Sequence, residues 1–355
     1  MTEEEALNLM VAPGTKRPGK YRSGVIQVWT TNVCNLACFN CTQSGNLRGT
    51  ARFITPAQFE QACLSLKDYF GVVGMFGSNP AMHPHFERLC EIMQTIIPFE
   101  QRGLWCNNLR GKGASARKTF NPAVSNLNVH LDKAAYAEFK RDWPGAHVFG
   151  LTNDSRHSPV FVAMKDVLKK TCNLCSGDKQ MRRGDVIIDC PRCKGAGVEY
   201  DESRAWELIS NCDINQHWSA MVGVFRGELR AWFCEIAGAQ AMLHQDELNY
   251  PDTGLDPTLT RIHPTTGLPC KWWELPMQQF AGQVRKHCHE CGVPMRGYGQ
   301  LSQAPDHSSG EQTSETHMDV YRPKRRDRPV EVVSELVQLG KPLDSMIDYL
   351  GNARR

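Results

Sequence analysis

The feature that most limits how this chain can fold is its cysteine content. The sequence holds 15 cysteines in 355 residues, and most of them stand in short groups with fixed spacing. The count is odd, the chain is long, and residues 1–5 (MTEEE) do not begin a secretory signal. A secreted disulfide scaffold is therefore not expected, because clustered cysteines in a reducing compartment usually bind metal ions or iron–sulfur clusters. We expect a cytoplasmic metal-binding protein.

The rest of the composition is that of an ordinary globular protein. The chain is 41% hydrophobic and 22% charged, with 41 Lys and Arg against 38 Asp and Glu. These values exclude a wholly disordered or fibrous chain, and the mild positive charge does not single out a dedicated nucleic-acid binder. No apolar run reaches the roughly 18 residues of a membrane-spanning helix, so no membrane partner is expected.

Strands and helices alternate over the first half of the chain. Runs of β-branched and aromatic residues predict strands at 25–31, 72–76, 103–106, 127–131 and 146–151, with a possible sixth at 160–164. Helical patterns at 55–69, 86–97 and 134–141 stand between them. This alternation favours a parallel α/β sheet, whose functional residues lie in the loops at the carboxyl ends of the strands.

Three cysteines follow the first predicted strand. Cys34, Cys38 and Cys41 have the spacing CxxxCxxC. Three thiolates on one loop can hold three irons of a four-iron cubane and leave the fourth iron open for another ligand. A closed structural zinc site takes four protein ligands, so the alternative is a zinc loop completed by a distant residue.

This spacing, its place after the first strand and a second motif after the second strand resemble the radical S-adenosylmethionine enzymes. The resemblance implies a partial (β/α)6 TIM-like barrel with a [4Fe-4S] cluster on Cys34, Cys38 and Cys41. It also implies that S-adenosylmethionine binds the open iron and is reductively cleaved to a 5′-deoxyadenosyl radical, which abstracts a substrate hydrogen. An electron donor such as a flavodoxin or ferredoxin would be a partner.

The second motif is at residues 77–84 (GSNPAMHP). It is similar to the Gly-Gly-Glu-Pro stretch of that family, with Asn79 in the acidic position, and this implies that Gly77, Ser78 and Asn79 contact the cofactor. The alternative is a plain turn. Polar residues at the ends of later strands are further candidates for ribose or substrate contacts, or else ordinary caps and turns: Asn107, Asn108, Asn128, His130 and Asp132.

Two CxxC pairs follow the barrel-like half. Cys172, Cys175, Cys190 and Cys193 have the spacing CxxC-x14-CxxC, which is typical of zinc ribbons because each pair turns two sulfurs toward one ion. Residues 190–197 (CPRCKGAG) also resemble the zinc-binding repeats of J-domain cochaperones. Zinc is the preferred ion for this site, and an iron–sulfur cluster or a redox-active cysteine pair is the alternative.

Four more cysteines are spread over the next hundred residues: Cys212, Cys234, Cys288 and Cys291. Cys234 follows a predicted hairpin of 221–225 and 229–233, which resembles the twitch or SPASM extension that carries an auxiliary cluster in many radical enzymes. The resemblance implies a second iron–sulfur cluster on these four thiols. The alternative is a second structural zinc, with His287, His289 or Cys270 as possible ligands.

The sequence thus predicts four parts: a barrel at 1–168, a metal-binding insertion at 169–200, an auxiliary-cluster domain at 201–300, and a linker with a basic stretch and helical tail at 301–355. The basic residues at 322–328 favour a nucleobase in nucleic acid, or a nucleotide, as substrate. A ribosomally made peptide, a sugar or an amino acid is the alternative. A non-catalytic zinc-binding interaction protein is the alternative of another class.

Overall fold

A mixed α/β structure surrounds one central sheet. The computed structural model describes residues 1–15, 24–36, 41–43, 51–130, 132–150, 160–183, 186–295, 311–318 and 330–332. The strands of the first half are β1 (Val25–Trp29), β2 (Val72–Phe76), β3 (Arg102–Cys106), β4 (Asn126–Asn128) and β5 (Val148–Phe149). They pair in sequence order, and every pairing is parallel.

Helices connect these strands and pack on one another in the same order. They are α1 (Glu3–Leu9), α2 (Pro56–Ser65), α3 (Phe86–Ile96), α4 (Gly113–Thr119) and α5 (Lys133–Asp142). Contacts join α2 to α3, α3 to α4 and α4 to α5. Because crossovers between parallel strands are right-handed, strands in sequence order place their helices on one face of the sheet. None of the helices in the described ranges is long and apolar enough to cross a membrane.

The sequence-based prediction of a strand at 160–164 is wrong. Residues 160–162 form a turn, and α6 (Met164–Val167) follows. The sixth parallel strand is instead β10 (Ser219–Phe225), which pairs with β1 from the other side. The antiparallel strand β11 (Glu228–Trp232) completes the hairpin predicted near 221–233 and gives the sheet order β11-β10-β1-β2-β3-β4-β5.

The insertion consists of two small antiparallel ribbons. Strand β6 (Lys169–Thr171) pairs with β9 (Val198–Tyr200), and β7 (Gln180–Arg183) pairs with β8 (Val186–Asp189). The second half of the chain continues with α7 (Glu202–Ser210), α8 (Asp213–His217), α9 (Glu235–Leu243) and α10 (Ala281–His287), and with the short pair β12 (Arg261–Ile262) and β13 (Pro269–Cys270).

The predicted helical tail from about residue 330 is also wrong at its start. Residues Val330–Val332 form a strand, β15, that pairs with β14 (Glu311–Thr313). The other predicted features of this end, including the basic stretch at 322–328, lie outside the described residues.

The two edges of the parallel sheet carry different cysteines. Cys34 follows β1 and therefore lies at the carboxyl edge. Cys212 precedes β10, whose Ser219 pairs with Val25, and Cys234 follows β11, whose Trp232 pairs with Met221. Both lie at the amino edge. At about 3.3 Å per residue, the length of β10 separates the edges by roughly 20 Å.

Candidate metal centres

Hydrogen bonds close the base of the three-cysteine loop. An antiparallel bridge joins Thr31 to Phe53, the Thr31 hydroxyl donates to the Arg52 carbonyl at 2.8 Å, and the Arg52 N–H donates to Asn32 Oδ1 at 2.8 Å. Cys34 and Cys41 are both half-buried, whereas Cys38 lies outside the described residues. The loop thus leaves the carboxyl edge of the sheet and returns to it through a fixed base.

The second motif lies directly against this base. Gly77 has a φ of +126°, and a Cβ atom there would stand 2.6 Å from the Thr31 carbonyl oxygen. The Ser78 N–H donates to that carbonyl at 2.9 Å, and the Asn79 N–H donates to the Val33 carbonyl at 3.1 Å. Only glycine allows this approach, which explains the residue type without any cofactor.

Asparagine side chains link the cysteine loop to the ends of β2 and β3. Asn79 is fully buried, and its Nδ2 donates to Asn35 Oδ1 at 3.0 Å and to Asn108 Oδ1 at 2.9 Å. Asn107 Nδ2 donates to the same Asn35 oxygen at 3.1 Å and lies 3.7 Å from Cys34 Sγ. The Asn79 oxygen accepts the Ala81 N–H at 3.2 Å. Every polar side-chain atom of Asn79 is therefore already hydrogen-bonded, either within the turn or within the asparagine network.

Two buried polar oxygens of these loops have no hydrogen-bond partner among the residues that the structure describes. They are Ser78 Oγ and Asn107 Oδ1, and both atoms are inaccessible to solvent. Because a buried polar atom without a partner is costly, the Asn107 oxygen favours a polar ligand near Cys34. The donor set therefore fits a cluster with a bound polar cofactor, and Asn107 is better placed than Asn79 to accept a hydrogen bond from it.

Two further residues hold these loops: His83, from the second motif, and Glu138, which the sequence did not single out. His83 Nε2 lies 2.9 Å from the Ile54 carbonyl and its ring packs edge-on against Phe53, so it braces the return of the cysteine loop. Burial lowers the pKa of His83. Glu138 accepts the N–H groups of Leu109 and Gly111 at 2.9 and 2.8 Å, which fixes the loop that begins with Asn107 and Asn108.

The later strand ends show mostly local roles. Asn128 Oδ1 accepts the His130 N–H at 3.1 Å and lies against Gly150, where a Cβ atom would stand 1.9 Å from it. His130 has a φ of +47°. Asp132 caps α5 by accepting the Ala134 N–H at 2.9 Å. Asp132 thus acts as an ordinary cap, and Asn128 holds a turn at the carboxyl edge.

The structure brings together the four cysteines of the insertion at residues 169–200, which is called the ribbon from here on. The Sγ atoms of Cys172, Cys175, Cys190 and Cys193 all lie within 4.8 Å of one another. Cys172 Sγ is 3.8 Å from Cys190 Sγ, and Cys175 Sγ is 3.6 Å from Cys193 Sγ. A tetrahedral ion with Zn–S bonds of about 2.3 Å places its sulfurs about 3.8 Å apart. The arrangement fits a single zinc ion.

The two CxxC turns are cross-linked in a reciprocal way. The Cys172 N–H donates to the Gly197 carbonyl at 2.9 Å, and the Cys190 N–H donates to the Lys179 carbonyl at 2.8 Å. Lys179 and Gly197 each stand four residues after the second cysteine of a pair, and both have positive φ values. The Gly197 N–H also points at Cys193 Sγ, at 3.3 Å. The backbone therefore holds the sulfurs in place.

The second set of four cysteines lines a cavity at the amino edge. Cys212, Cys234, Cys288 and Cys291 share its wall with apolar side chains and with Gln240 and His287. Within the described part of the chain, these sulfurs do not form a set as tight as that of the ribbon. A four-iron cluster holds its thiolates farther apart than a single ion does, so a less tight set can also accommodate a cluster.

Burial and mutual repulsion disfavour free thiolates in this cavity. Burial raises the pKa of Cys234 to about 12, and Cys212 adds to the rise. The pKa of Cys288 is raised by burial first and then by Cys234, Cys212 and Cys291. Burial also lowers the pKa of His287 to about 3. Bound iron or zinc would reverse the shifts of the thiols, because metal binding stabilises the thiolate.

No family model and no curated protein sequence matches the chain. A search of solved structures aligns it with the crystal structure of BtrN in complex with AdoMet and 2-DOIA. The alignment has 13% sequence identity and a TM-score of 0.36, and it covers 66% of this chain and 85% of that chain. Similarity this weak assigns neither an architecture nor an activity to the chain.

Proposed function

We propose that the chain is a radical S-adenosylmethionine enzyme. Cys34, Cys38 and Cys41 would hold a [4Fe-4S] cluster with one open iron, and the six parallel strands would form a partial barrel around its carboxyl edge. The observation that carries the proposal is the buried Asn107, whose Nδ2 lies 3.7 Å from Cys34 Sγ and whose Oδ1 has no hydrogen-bond partner among the described residues.

The chain's own residues have distinct tasks in this proposal. When bound, the cluster and S-adenosylmethionine supply one-electron cleavage of the sulfonium and removal of a substrate hydrogen. Asn107 Nδ2 lies near Cys34 Sγ and helps to stabilise the thiolate, while its Oδ1 accepts from a cofactor donor. Gly77 allows the close approach of the β2 loop to the cysteine loop, and Glu138 fixes the loop that carries Asn107.

The second and third metal sites have different proposed roles. The ribbon would bind one structural zinc through Cys172, Cys175, Cys190 and Cys193. The cavity cysteines would bind a second iron–sulfur cluster, as in an auxiliary-cluster domain. Because this cavity lies at the amino edge, roughly 20 Å along the strands from the Cys34 edge, we place the second cluster away from the substrate. Electron entry or structural support fits that position better than contact with a substrate radical.

The substrate proposal remains a nucleobase in nucleic acid, or a nucleotide, with a peptide or a small sugar or amino acid as the alternative. Residues 169–200 carry seven Lys and Arg against four Asp and Glu, and this local excess supports a phosphate-bearing partner. Titrating labelled single-stranded DNA, RNA and an uncharged peptide at two salt concentrations tests it. Binding of the peptide alone would reject the nucleic-acid proposal.

A non-catalytic zinc-binding interaction protein remains the second candidate. The ribbon favours it, because its hairpin exposes Val186 and Ile187 to 61% and 67% in a position suited to partner contact. This candidate leaves the three-cysteine loop and the unpartnered oxygens beside it without a role.

Anaerobic reconstitution with iron and sulfide separates the two candidates. The enzyme should become brown and release 5′-deoxyadenosine from S-adenosylmethionine in the presence of dithionite, and Cys34→Ala should abolish that release. The matched control is Cys90→Ala, which removes a buried thiol of α3 whose pKa burial raises to about 12. Retained cleavage in Cys34→Ala, or a colourless protein that holds only zinc, would reject the enzyme proposal.

A further inference from the structure

A buried amide without a hydrogen-bond partner lines the cavity at the amino edge. Gln240 lies on α9 and is only 3% exposed, yet within the described part of the chain neither its Nε2 nor its Oε1 has a hydrogen-bond partner. Two other buried glutamines are bonded: Gln283 accepts the Phe233 N–H at 3.0 Å, and Gln245 accepts the Arg226 N–H at 3.0 Å. A buried amide left unpaired in this way destabilises the fold, because its hydrogen bonds to water have been lost and not replaced.

The position of Gln240 directs it toward the cysteines. Ile236, Ala237 and Gln240 are spaced i, i+1 and i+4, so they share one face of α9, and all three line the cavity with Cys234. Every residue of α9 is buried, and Glu235 at its start is the other polar side chain of the helix. An apolar residue would fill this position at lower cost if nothing polar occupied the cavity.

We infer that Gln240 is a positioning residue of the second cluster, and that its Nε2–H donates a hydrogen bond to a sulfur of that cluster. This inference rests on the proposal that the four cavity cysteines bind iron and sulfide. A donor to a cluster sulfur stabilises the reduced state, which carries more negative charge, and so raises the reduction potential. Gln240 thereby sets how readily the second cluster accepts an electron.

The test measures the reduction potential of the second cluster by itself. A Cys34→Ala/Cys41→Ala background removes the first cluster, so the remaining iron–sulfur signal belongs to the cavity. In this background Gln240→Leu removes the donor and keeps the volume. Gln240→Glu keeps the shape and replaces Nε2 with an oxygen, so it serves if the leucine variant folds poorly. Gln245→Leu is the matched control, a buried glutamine of the same region that is bonded elsewhere.

Both Gln240 variants should make the ratio of reduced to oxidised cluster at a fixed potential fall about tenfold, or about 59 mV for a one-electron couple. Gln245→Leu should leave this ratio unchanged. Pulsed EPR in H2O and D2O should also show one exchangeable-proton coupling fewer in Gln240→Leu than in the background protein. An iron–sulfur signal with unchanged potential in both Gln240 variants would overturn the role of Gln240. A background protein that contains zinc and no iron would instead overturn the proposed cluster.

Discussion

The ribbon and the amino-edge cavity each gather four cysteines, but by different means. In the ribbon, two CxxC turns separated by 14 residues face each other, and the backbone alone brings the sulfurs to single-ion distance. In the cavity, the thiols come from the start of α8, the start of α9 and the end of α10, and among the described residues they do not gather as tightly as the ribbon sulfurs. Local spacing thus specifies a small ion site, whereas long-range assembly leaves space for a larger group.

The largest effect should come from removing a ribbon ligand. Cys190→Ala should release the zinc and unfold residues 169–200, because structural zinc contributes an apparent binding free energy of about 10–16 kcal/mol to such small units. Hydrogen exchange should show loss of protection in β6 to β9 and unchanged protection in β1 to β4. Simultaneous loss of protection in the central sheet would show that the ribbon is not an independent unit.

Removing a cavity ligand should have a global effect instead. Cys288→Ala should lose the iron of the second site but keep the zinc, and it should lower the free energy of unfolding of the whole core, by roughly 1–3 kcal/mol from altered packing alone. Thermal unfolding with parallel iron and zinc analysis checks this. A melting temperature like that of the unsubstituted protein, with all iron retained, would remove Cys288 from the site.

Two glycine substitutions should separate the regions further. At Gly197, with a φ of +78°, a Cβ atom would stand 2.8 Å from the Gly177 carbonyl, so Gly197→Ala should weaken zinc binding by about 1–3 kcal/mol. At Gly238, a Cβ atom would stand 2.3 Å from Met221 Cε, the movable end of a side chain, and 2.9 Å from Cε3 of the buried Trp232 ring. Gly238→Ala should lower global stability by about 1–3 kcal/mol and leave zinc affinity unchanged. Competition with a chelator measures the zinc affinity of Gly197→Ala. Denaturant unfolding measures the stability of Gly238→Ala.

The last prediction concerns acid, and its effect should appear in the segment 311–318 that packs on the core. Burial lowers the pKa of His317 to about 4, against 6.5 for the exposed residue. Between pH 4 and 6.5 the folded state therefore binds fewer protons at His317 than the unfolded state does. The free energy of unfolding is highest above pH 6.5 and decreases as the pH falls from 6.5 to 4. At pH 5 the loss is about 2 kcal/mol.

Because His317 lies in the segment 311–318, which docks on Phe161 and Asp166, that segment should lose exchange protection first. His317→Gln should remove this pH dependence. The ribbon contains no histidine, so protection of β6 to β9 should respond only through its thiolates. A ribbon that loses protection together with residues 311–318 would contradict this assignment.

The sequence predicted the features that depend on neighbouring residues. The strands β1 to β4, the helices α2, α3 and α5, and the assembly of the ribbon follow from local patterns. The pairing of β10 with β1 joins residues almost two hundred positions apart, and no local pattern encodes it. Residues 160–164 (VFVAM) are buried because the segment 311–318 covers them: the Ser314 N–H donates to the Phe161 carbonyl at 3.1 Å. An apolar run buried in this way has the same sequence pattern as a buried strand.

The candidate site was predictable to a similar degree. The cysteine spacing located the ribbon group, whose four sulfurs lie within 4.8 Å of one another. The three-cysteine group stays a prediction, because Cys38 lies outside the described residues. The roles of Glu138 and Gln240 were not predictable, because a carboxylate that holds a loop and an amide that faces a cavity carry no sequence signature. Asn79 showed the opposite difficulty: a motif pointed to cofactor binding, and the structure gives each of its polar atoms to the turn and the asparagine network.

The most direct test of the central claim is EPR spectroscopy of the reduced, reconstituted protein with and without S-adenosylmethionine. A Cys234→Ala/Cys288→Ala variant leaves only the cluster of Cys34, Cys38 and Cys41. An open iron predicts that the cofactor changes the spectrum of this cluster. An iron–sulfur EPR spectrum that does not change when S-adenosylmethionine is added, or a protein that takes up zinc and no iron, would contradict the account.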